Sequence, residues 1–190
     1  MWLSSMQRIK IDFKEKRNVA SHDLAHLSAM EWLDIWNADR VYFDDDRKYG
    51  YGGYRYDGRW KDVVCQLKEL FSLNTRSSLL DVGCAKGFLV EDYCRDSDVG
   101  VAEGVDLSFY SLLEGKKQFP SLKLVCANFT DLPYSNNEFT LAFCKDSLHN
   151  FLTKDEVITS LREIQRVSQK SWIRVGAFNT NSQKKVIDDW

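Results

Sequence analysis

One continuous stretch of the chain, residues 79–107, most constrains the fold. Residues 79–82 are apolar except for Asp81, and they run directly into Gly83, Gly87 and an apolar segment at 88–90. An apolar run that stops at glycines and then resumes predicts a buried strand, a tight turn and a helix. Glycine permits the sharp bend of such a turn and lets the backbone approach a ligand closely. The stretch therefore predicts a strand-turn-helix unit with a binding site at its turn.

A second apolar run, residues 99–105, ends in Asp106 and Leu107. In nucleotide-binding α/β folds, an acid at the tip of the strand that follows the glycine turn holds the ribose hydroxyls. The two runs together predict a site for an adenosine-containing cofactor.

The spacing of the glycines distinguishes between cofactors. Gly83 and Gly87 are four positions apart, whereas the outer glycines of the dinucleotide pattern G-x-G-x-x-G are five apart. Asp81 lies two residues before the first glycine, where a carboxylate repels a phosphate but suits a cationic group such as an α-ammonium. The segment resembles motif I of the class I S-adenosylmethionine-dependent methyltransferases, an acid followed by G-x-G-x-G, with Ala85 in place of the middle glycine.

The resemblance continues in order along the chain, over about residues 78–178. Residues 126–134 resemble the family's segment after the third strand, and residues 137–143 resemble its fourth strand, with Thr140 at a usual aspartate position. Residues 148–151 resemble its L-H-H-L stretch, and residues 161–167 resemble its L-R-E-I-x-R-V helix.

The resemblance implies a cradle of residues for S-adenosylmethionine and for the product S-adenosylhomocysteine. Asp81 and Lys145 are expected near the methionyl end, Asp106 on the ribose hydroxyls, and Leu107, Asn128 and Phe129 around the adenine. An amide at Asn128 replaces the usual acid and can still accept a hydrogen bond through its carbonyl. The turn residues expected beneath the cofactor are Gly83, Cys84, Ala85 and Gly87. The Cys84 thiol is expected to serve packing.

The pattern of apolar segments predicts a doubly wound, mostly parallel Rossmann-like α/β sheet with helices on both faces. Residues 1–73 are predicted to form an N-terminal helical arm and substrate lid, with residues 1–17 loosely held, and residues 74–190 to form the cofactor-binding domain. The predicted strands are 78–83, 101–106, 122–126, 139–144 and 171–178, and the predicted helices include 21–37, 60–71 and one that starts at the capping box 153–156. The resemblance implies two further strands, so the sequence favours a shortened form, with a partner over the sheet edge as the alternative.

A tyrosine- and glycine-rich segment, residues 49–60, contains four of the eight tyrosines of the chain and four of its ten glycines. Tyrosines with a flat apolar face and a polar tip, on a backbone that glycines make adaptable, suit a lid over cofactor and substrate. The segment resembles the Y-G-Y-G-G-Y-x-Y-D-G-R-W stretch of a bacterial methyltransferase subgroup. The predicted substrate contacts are Tyr49, Tyr51, Tyr54 and Arg59. The alternative is a connector whose aromatic rings pack on the sheet.

The reaction implied is attack of a substrate nucleophile on a sulfonium methyl group, for which positioning and desolvation are the main tasks. His149 is the best candidate for a general base because imidazole titrates near neutral pH. Asp146 can assist or replace it, and Tyr54 completes the predicted catalytic set. A histidine satisfied by backbone groups in a loop is the alternative for His149.

The composition bounds the partners and the compartment. A net charge of −2 gives no electrostatic reason to expect nucleic acid or an anionic membrane. The five cysteines have no C-x-x-C spacing, which argues against a zinc site or a disulfide framework and for a reducing cytoplasm. His22 and His26 are one helical turn apart, but no carboxylate completes a recognisable metal motif, so no metal is predicted.

Three functions remain, of which the first is favoured. The first is methyl transfer to a small polar metabolite, with a sugar as one candidate, and the sequence leaves open whether the enzyme is a homodimer. The second is a catalytically idle methyltransferase-like module for binding or interaction, which the substitutions Ala85, Asn128 and Thr140 favour slightly. The third is a nicotinamide-dependent oxidoreductase, but neither its glycine pattern nor a Tyr-x-x-x-Lys pair is present.

Overall fold

A computed structural model describes residues 7–13, 28–46 and 49–175 of the chain. The helices are α1 (Ala29–Trp36), α2 (Arg40–Asp44), α3 (Lys61–Phe71), α4 (Phe88–Cys94), α5 (Phe109–Gln118) and α6 (Lys154–Val167). The strands are β1 (Ser78–Val82), β2 (Val101–Asp106), β3 (Lys123–Cys126), β4 (Phe139–Lys145) and β5 (Ser168–Arg174).

The five strands form one sheet in the order β3-β2-β1-β4-β5, and every neighbouring pair is parallel. The order reverses at β1, which lies between β2 and β4. In open parallel sheets, ligands bind outside the carboxyl ends of the strands at such a reversal. The predicted doubly wound α/β fold is confirmed.

Side chains alternate between two cores, one on each face of the sheet. Leu79 of β1 lies in the core that includes Val64 and Leu67 of α3. Leu80, the next residue, lies in the opposite core with Ile164 of α6. All five of these side chains are at most 1% exposed, so the sheet is covered on both faces as its apolar sequence predicts.

Several helix boundaries follow capping signals in the sequence. The predicted capping box at the start of α6 is confirmed, because Thr153 and Glu156 bond to each other's backbone N–H groups. Ser28 and Glu31 form a second capping box that starts α1, within the helix predicted over 21–37. Residues 21–27 of that predicted helix lie outside the described residues. Helix α2 was not among the predicted helices.

Two other expectations are corrected by the structure. Strand β5 begins at Ser168, directly after α6, rather than at residue 171, and residues 176–178 lie outside the described part of the chain. Residues 7–13, expected to be loosely held, pack on the fold instead. Ile11 is buried, and the carbonyl of Ile9 accepts a hydrogen bond from Trp172 Nε1 at 3.2 Å. The predicted division at residue 73 stays a prediction.

Candidate active site

The turn between β1 and α4 has the tight geometry expected of a ligand-binding loop. Gly83 has a φ of +83°, and a Cβ at this position would collide with the Oγ of Ser147, which follows β4. Only glycine therefore allows the segments after β1 and β4 to approach so closely. Ser147 was not among the predicted site residues, since nothing in its local sequence marks this approach.

Ala85 occupies a strained position within the same turn. Its φ of +49° is in the left-handed region, which costs an L-residue with a Cβ roughly 1–2 kcal/mol. The Ala85 N–H donates to Asp106 Oδ2 at 2.8 Å. The replacement of the middle glycine thus adds backbone strain as well as a methyl group, and Asp106 helps to hold the strained conformation.

Asp106 lies at the tip of β2 and connects the turn to the start of α5. Its second carboxylate oxygen accepts from the N–H of Ser108 at 2.9 Å. Burial raises the pKa of the Asp106 carboxyl, against the lowering effect of these backbone hydrogen bonds. An ionised carboxylate has about four lone-pair sites, more than these backbone donors use, so the position is compatible with the predicted ribose contact.

Asp81 is the more perturbed of the two carboxyls. It is 6% exposed, and burial, followed by the charge of Asp106, raises its pKa to about 8, against the lowering effect of Lys145. A cationic group brought next to Asp81 would stabilise the carboxylate form. This environment fits the α-ammonium expected from the sequence.

Lys145 and Asp146, at the end of β4, belong to a half-buried charged cluster. Lys145 Nζ lies 3.0 Å from Asp146 Oδ2, and the Lys145 side chain is 7% exposed. The Arg174 guanidinium of β5 donates to both oxygens of Asp146, with Nε at 2.9 Å. Burial raises the pKa of Asp146, but the hydrogen bonds from Arg174 and the charge of Lys145 bring it below its usual value. A carboxylate so firmly ionised suits orientation of neighbouring groups better than proton abstraction, although its predicted catalytic role remains untested.

An aromatic wall from the N-terminal segment adjoins this cluster. The Phe13 ring has Lys145 Nζ 5.1 Å and Arg174 Cζ 4.4 Å from its centroid. Lys145 Nζ is also 5.5 Å from the centroid of a Trp60 ring. Contacts of this kind stabilise cations where water is scarce. Phe13, Trp60 and Arg174 were missed because the sequence does not show which residues face the strand ends.

His149 lies in a short 3₁₀ turn, Leu148–Asn150, after β4. His149 is an exposed residue, yet desolvation by its neighbours, followed by the charge of Lys145, lowers the pKa of its imidazole, against the opposing effect of Asp146. The imidazole is therefore neutral at pH 7 and able to accept a proton. This placement is compatible with the predicted base.

Part of the predicted lid, residues 49–60, packs in the hydrophobic core. The Tyr54 ring packs against Phe88 at a centroid distance of 4.6 Å and Tyr54 is 5% exposed. Burial, followed by the charges of Tyr51 and Asp81, raises the pKa of Tyr54. Asp92 of α4 accepts from the Tyr56 hydroxyl at 2.6 Å. For this part of the segment the packing supports the connector alternative, with Tyr54 as part of the site wall.

The other predicted substrate contacts have partners elsewhere. Tyr51 packs on Tyr54 with ring centroids 4.4 Å apart. The Tyr49 hydroxyl donates to Glu31 of α1 at 3.3 Å. Arg59 donates to both oxygens of Asp57, at 2.8 and 2.7 Å. Substrate binding by Tyr49 and Arg59 would require these pairs to be shared or exchanged.

The residues predicted around the adenine lie after β2 and β3. Leu107 is exposed, and Phe129 is buried with its ring 5.8 Å from that of Phe151. The Oδ1 atom of Asn128 accepts from the N–H of Thr130 at 3.0 Å, so one lone pair of the predicted acceptor is already used. Cys84 is buried, and burial raises the pKa of its thiol, in agreement with a packing role.

Lys86 is the turn residue whose importance the sequence did not indicate. Its ammonium group forms an ion pair with Asp44 of α2 and donates to the Tyr54 carbonyl at 3.1 Å. A lysine within a glycine turn looks like a solvated surface residue, because its partners lie 42 and 32 positions away. Within the described part of the chain, no group of His, Cys, Asp and Glu could hold a metal ion, and no helix could span a membrane. His22 and His26 lie outside that part.

Comparisons with known proteins identify the domain that carries this site. Residues 80–171 match a family model described as a methyltransferase domain. A search of curated proteins gave no match. An S-adenosylmethionine-dependent methyltransferase from Clostridium acetobutylicum is 22% identical with a TM-score of 0.54, over 65% of this chain and 52% of that one. CalS10 of Micromonospora echinaspora, an amino pentose methyltransferase solved with S-adenosylmethionine, is 18% identical with a TM-score of 0.55, over 67% and 53% of the two chains.

A third solved structure, from Methanococcus maripaludis, carries a provisional assignment as an S-adenosylmethionine-dependent methyltransferase. It is 18% identical with a TM-score of 0.53, and the match covers 68% of this chain but only 61% of that protein. At these identities the solved structures establish the fold, and the family model shows which kind of domain residues 80–171 resemble. Residues 80–171 of this chain are thus similar to a methyltransferase domain, and the chain has the fold of the S-adenosylmethionine-dependent class I enzymes.

Proposed function

We propose that this chain transfers a methyl group from S-adenosylmethionine to a small polar metabolite, with a sugar as one candidate. The observation that carries the proposal is the pair of carboxylates, Asp81 and Asp106, at the tips of neighbouring parallel strands on either side of the turn. A buried acid beside the turn suits a cation, and an acid held by the turn suits a diol. S-adenosylmethionine carries both groups, an α-ammonium and a ribose diol.

The residues of the cradle would hold the cofactor by complementary chemistry. Asp81 would bind the α-ammonium and Asp106 the ribose hydroxyls. Leu107 would pack against the adenine, and Asn128 and Phe129 would contact its edge. When bound, S-adenosylmethionine supplies an electrophilic methyl group on a positively charged sulfur atom. The protein would then need to orient a nucleophile and exclude water.

Groups after β4 and β5 are suited to the acceptor side. Neutral His149 can take the proton of an acceptor hydroxyl or ammonium group. Asp146, held by Arg174, offers a fixed acceptor for hydrogen bonds from a polar substrate. Trp60 and Phe13 would limit the access of water to this cluster.

A polar metabolite fits these surroundings better than an apolar one. Burying charged groups such as Asp146, Lys145 and Arg174 against an apolar ligand would remove solvent without supplying hydrogen bonds. CalS10, a neighbour in fold, acts on an amino pentose, which supports a sugar as one candidate. The net charge of −2 supports a small molecule over a nucleic acid. All five cysteines are free thiols, which supports a reducing compartment such as the cytoplasm.

The first test is calorimetric titration of the chain with S-adenosylmethionine, S-adenosylhomocysteine and NAD. Micromolar binding of the first two without binding of NAD is the expected result. Release of S-adenosylhomocysteine is then measured against a panel of sugars, amino sugars and hydroxy acids, with His149→Asn as the matched variant. Binding of NAD in place of S-adenosylmethionine would refute the proposal, and turnover restricted to RNA would refute its acceptor class.

A catalytically idle binding module is the second candidate. It is favoured by the strained Ala85 and by the Asn128 oxygen that is already engaged with Thr130. It predicts cofactor binding without turnover of any acceptor on the panel. Variants Ala85→Gly and Asn128→Asp separate the two functions: activity that appears only in these variants indicates an idle module.

A further inference from the structure

A three-residue network joins the cofactor turn to the N-terminal part of the chain. Lys86 lies inside the turn, and its side chain, only 9% exposed, forms an ion pair with Asp44 at the end of α2. The other carboxylate oxygen of Asp44 accepts from the Tyr110 hydroxyl of α5 at 2.6 Å. The Asp44 side chain is 27% exposed, but the Lys86 ammonium has so little solvent around it that it needs its carboxylate partner.

A second connection runs in parallel at the tip of β2. The Ser108 hydroxyl donates at 2.5 Å to the carbonyl of Ala38, which lies between α1 and α2. Ser108 also donates its N–H to Asp106, whose other oxygen holds Ala85. Asp106, the predicted ribose acid, is therefore bonded to Ser108, which holds Ala38. It is also bonded to Ala85, which precedes Lys86 in the turn.

These contacts leave little freedom for independent movement of the two segments. If residues 38–46 lifted away, Lys86 would lose its carboxylate partner and Ser108 its backbone acceptor. If the turn changed shape, Asp44 would be left beside Tyr110 without its cation. The turn and residues 38–46 are therefore ordered together, and a ligand that orders the turn also favours the ordered state of residues 38–46.

We infer that Lys86 is a positioning residue that fixes the cofactor turn through Asp44 and couples cofactor binding to the seating of residues 38–46. The inference rests on the proposed function, because it takes the turn as the cofactor site. Lys86 acts through the backbone of the turn and touches no reacting atom. Through this ion pair, residues 38–46 contribute to cofactor affinity, which their sequence alone does not suggest.

The test compares Lys86→Met, Asp44→Asn and the double variant with the wild-type chain. Asparagine at 44 keeps an acceptor for Tyr110, and methionine at 86 keeps the length of the side chain. Lys68→Met is the matched control, because Lys68, on α3, is away from the turn. Its ammonium group is likewise paired with a carboxylate, that of Asp96, at 2.9 Å.

Two measurements are made on each variant. Calorimetry with S-adenosylhomocysteine is expected to show about tenfold weaker binding for either single change, which is about 1.4 kcal/mol. The double variant is expected to bind no more weakly than the weaker of the two single variants. Lys86→Arg is expected to recover part of the affinity, and the affinity of Lys68→Met is expected to stay within about twofold of the wild type. Hydrogen exchange is expected to show that S-adenosylhomocysteine protects residues 38–46 in the wild type but not in Lys86→Met.

The outcomes separate this inference from the proposed function. Losses that multiply in the double variant, or equal protection of residues 38–46 in Lys86→Met, would overturn the coupling. A wild-type chain that binds no S-adenosylhomocysteine would refute the proposed function. In that case exchange in the unliganded protein decides the coupling: Asp44→Asn must speed exchange in residues 83–87, and unchanged exchange there would overturn it.

Discussion

Cofactor binding is predicted to release a proton at pH 6.5, because Asp81 has to ionise to bind an ammonium group. With a pKa of about 8, Asp81 is only about 10% ionised at pH 7 and about 3% at pH 6.5. Each pH unit below 8 therefore lowers the apparent affinity up to about tenfold, or about 1.4 kcal/mol. Since a free α-ammonium itself titrates at about 8, affinity is expected to peak near that pH and to fall on both sides.

The assay is titration calorimetry with S-adenosylhomocysteine at pH 6.5 in phosphate and in Tris. These buffers differ in ionisation enthalpy, so the difference in observed heat gives the number of protons released. The wild type is expected to release about one proton. Asp81→Asn, which has no proton to release, is expected to release close to none and to bind more weakly at pH 8.

The same pKa makes a prediction about stability, with the opposite dependence on pH. The folded protein retains a proton on Asp81 between pH 4 and pH 8, where the unfolded chain has lost it, so the free energy of unfolding falls as the pH rises through this window. Asp81→Asn removes that dependence and is expected to be more stable than the wild type at pH 8, by as much as several kcal/mol. Urea unfolding at pH 5 and pH 8 measures the difference. Proton release near zero in the wild type, together with equal stability of both proteins at pH 8, would refute the reasoning about Asp81.

Three further substitutions test the cradle and its wall. Asp106→Ala is expected to weaken binding of S-adenosylhomocysteine at least about tenfold, or about 1.4 kcal/mol; unchanged binding in calorimetry would contradict the ribose assignment. Tyr54→Phe keeps the ring on Phe88, so its thermal stability and cofactor affinity are expected to stay near wild type while turnover falls, whereas Tyr54→Ala is expected to lose about 3–5 kcal/mol of stability in urea unfolding. Equal losses of affinity and turnover in Tyr54→Phe would instead place the hydroxyl at the cofactor. Ala85→Gly relieves the left-handed strain but gains entropy when unfolded, so its stability is expected to change by less than about 1 kcal/mol; a larger loss would show that the methyl group packs.

The sequence predicted the parts of the fold that depend on local pattern. The apolar runs of β1, β2 and β4 have no other stable place than a sheet covered on both faces. Thr153 and Glu156 predicted the start of α6 because a capping box acts within four residues. The acids Asp81 and Asp106 were predicted together because parallel strands bring their carboxyl ends to one edge.

Elements with weak local signals were missed. Helix α2 has five residues, too few to show an amphipathic period. Apolar residues alternate with polar ones at Ile9, Ile11 and Phe13, which is too short a pattern to predict a packed segment, although Ile11 is buried. Strand β5 begins with the polar residues Ser168, Gln169 and Lys170, which suit its place at the end of the described sheet better than they suit a buried strand.

The pairs that complete the site are long-range, and local pattern carries no information about them. Lys86 meets Asp44, and Arg174 meets Asp146, through the way the chain crosses over the strand ends. Sequence reasoning placed Lys145 near the methionyl end but could not show that Asp146 and the ring of Phe13 surround it. Such contacts can be predicted only once the order of the strands in the sheet is known.

Several unfavourable features lie where the strands end. Ala85 and Asp146 have φ values of +49° and +54°, and Asp81 is an acid buried beside a second acid. Each feature lowers the stability of the protein by itself, and strain of this kind persists where the surrounding structure holds it. A ligand that supplies a cation to Asp81 and a diol to Asp106 would relieve two of these charges at once. At a fixed concentration of 100 times the wild-type Kd, S-adenosylhomocysteine is therefore expected to raise the free energy of unfolding by about 2.7 kcal/mol in the wild type and by less in Asp81→Asn, which binds it more weakly.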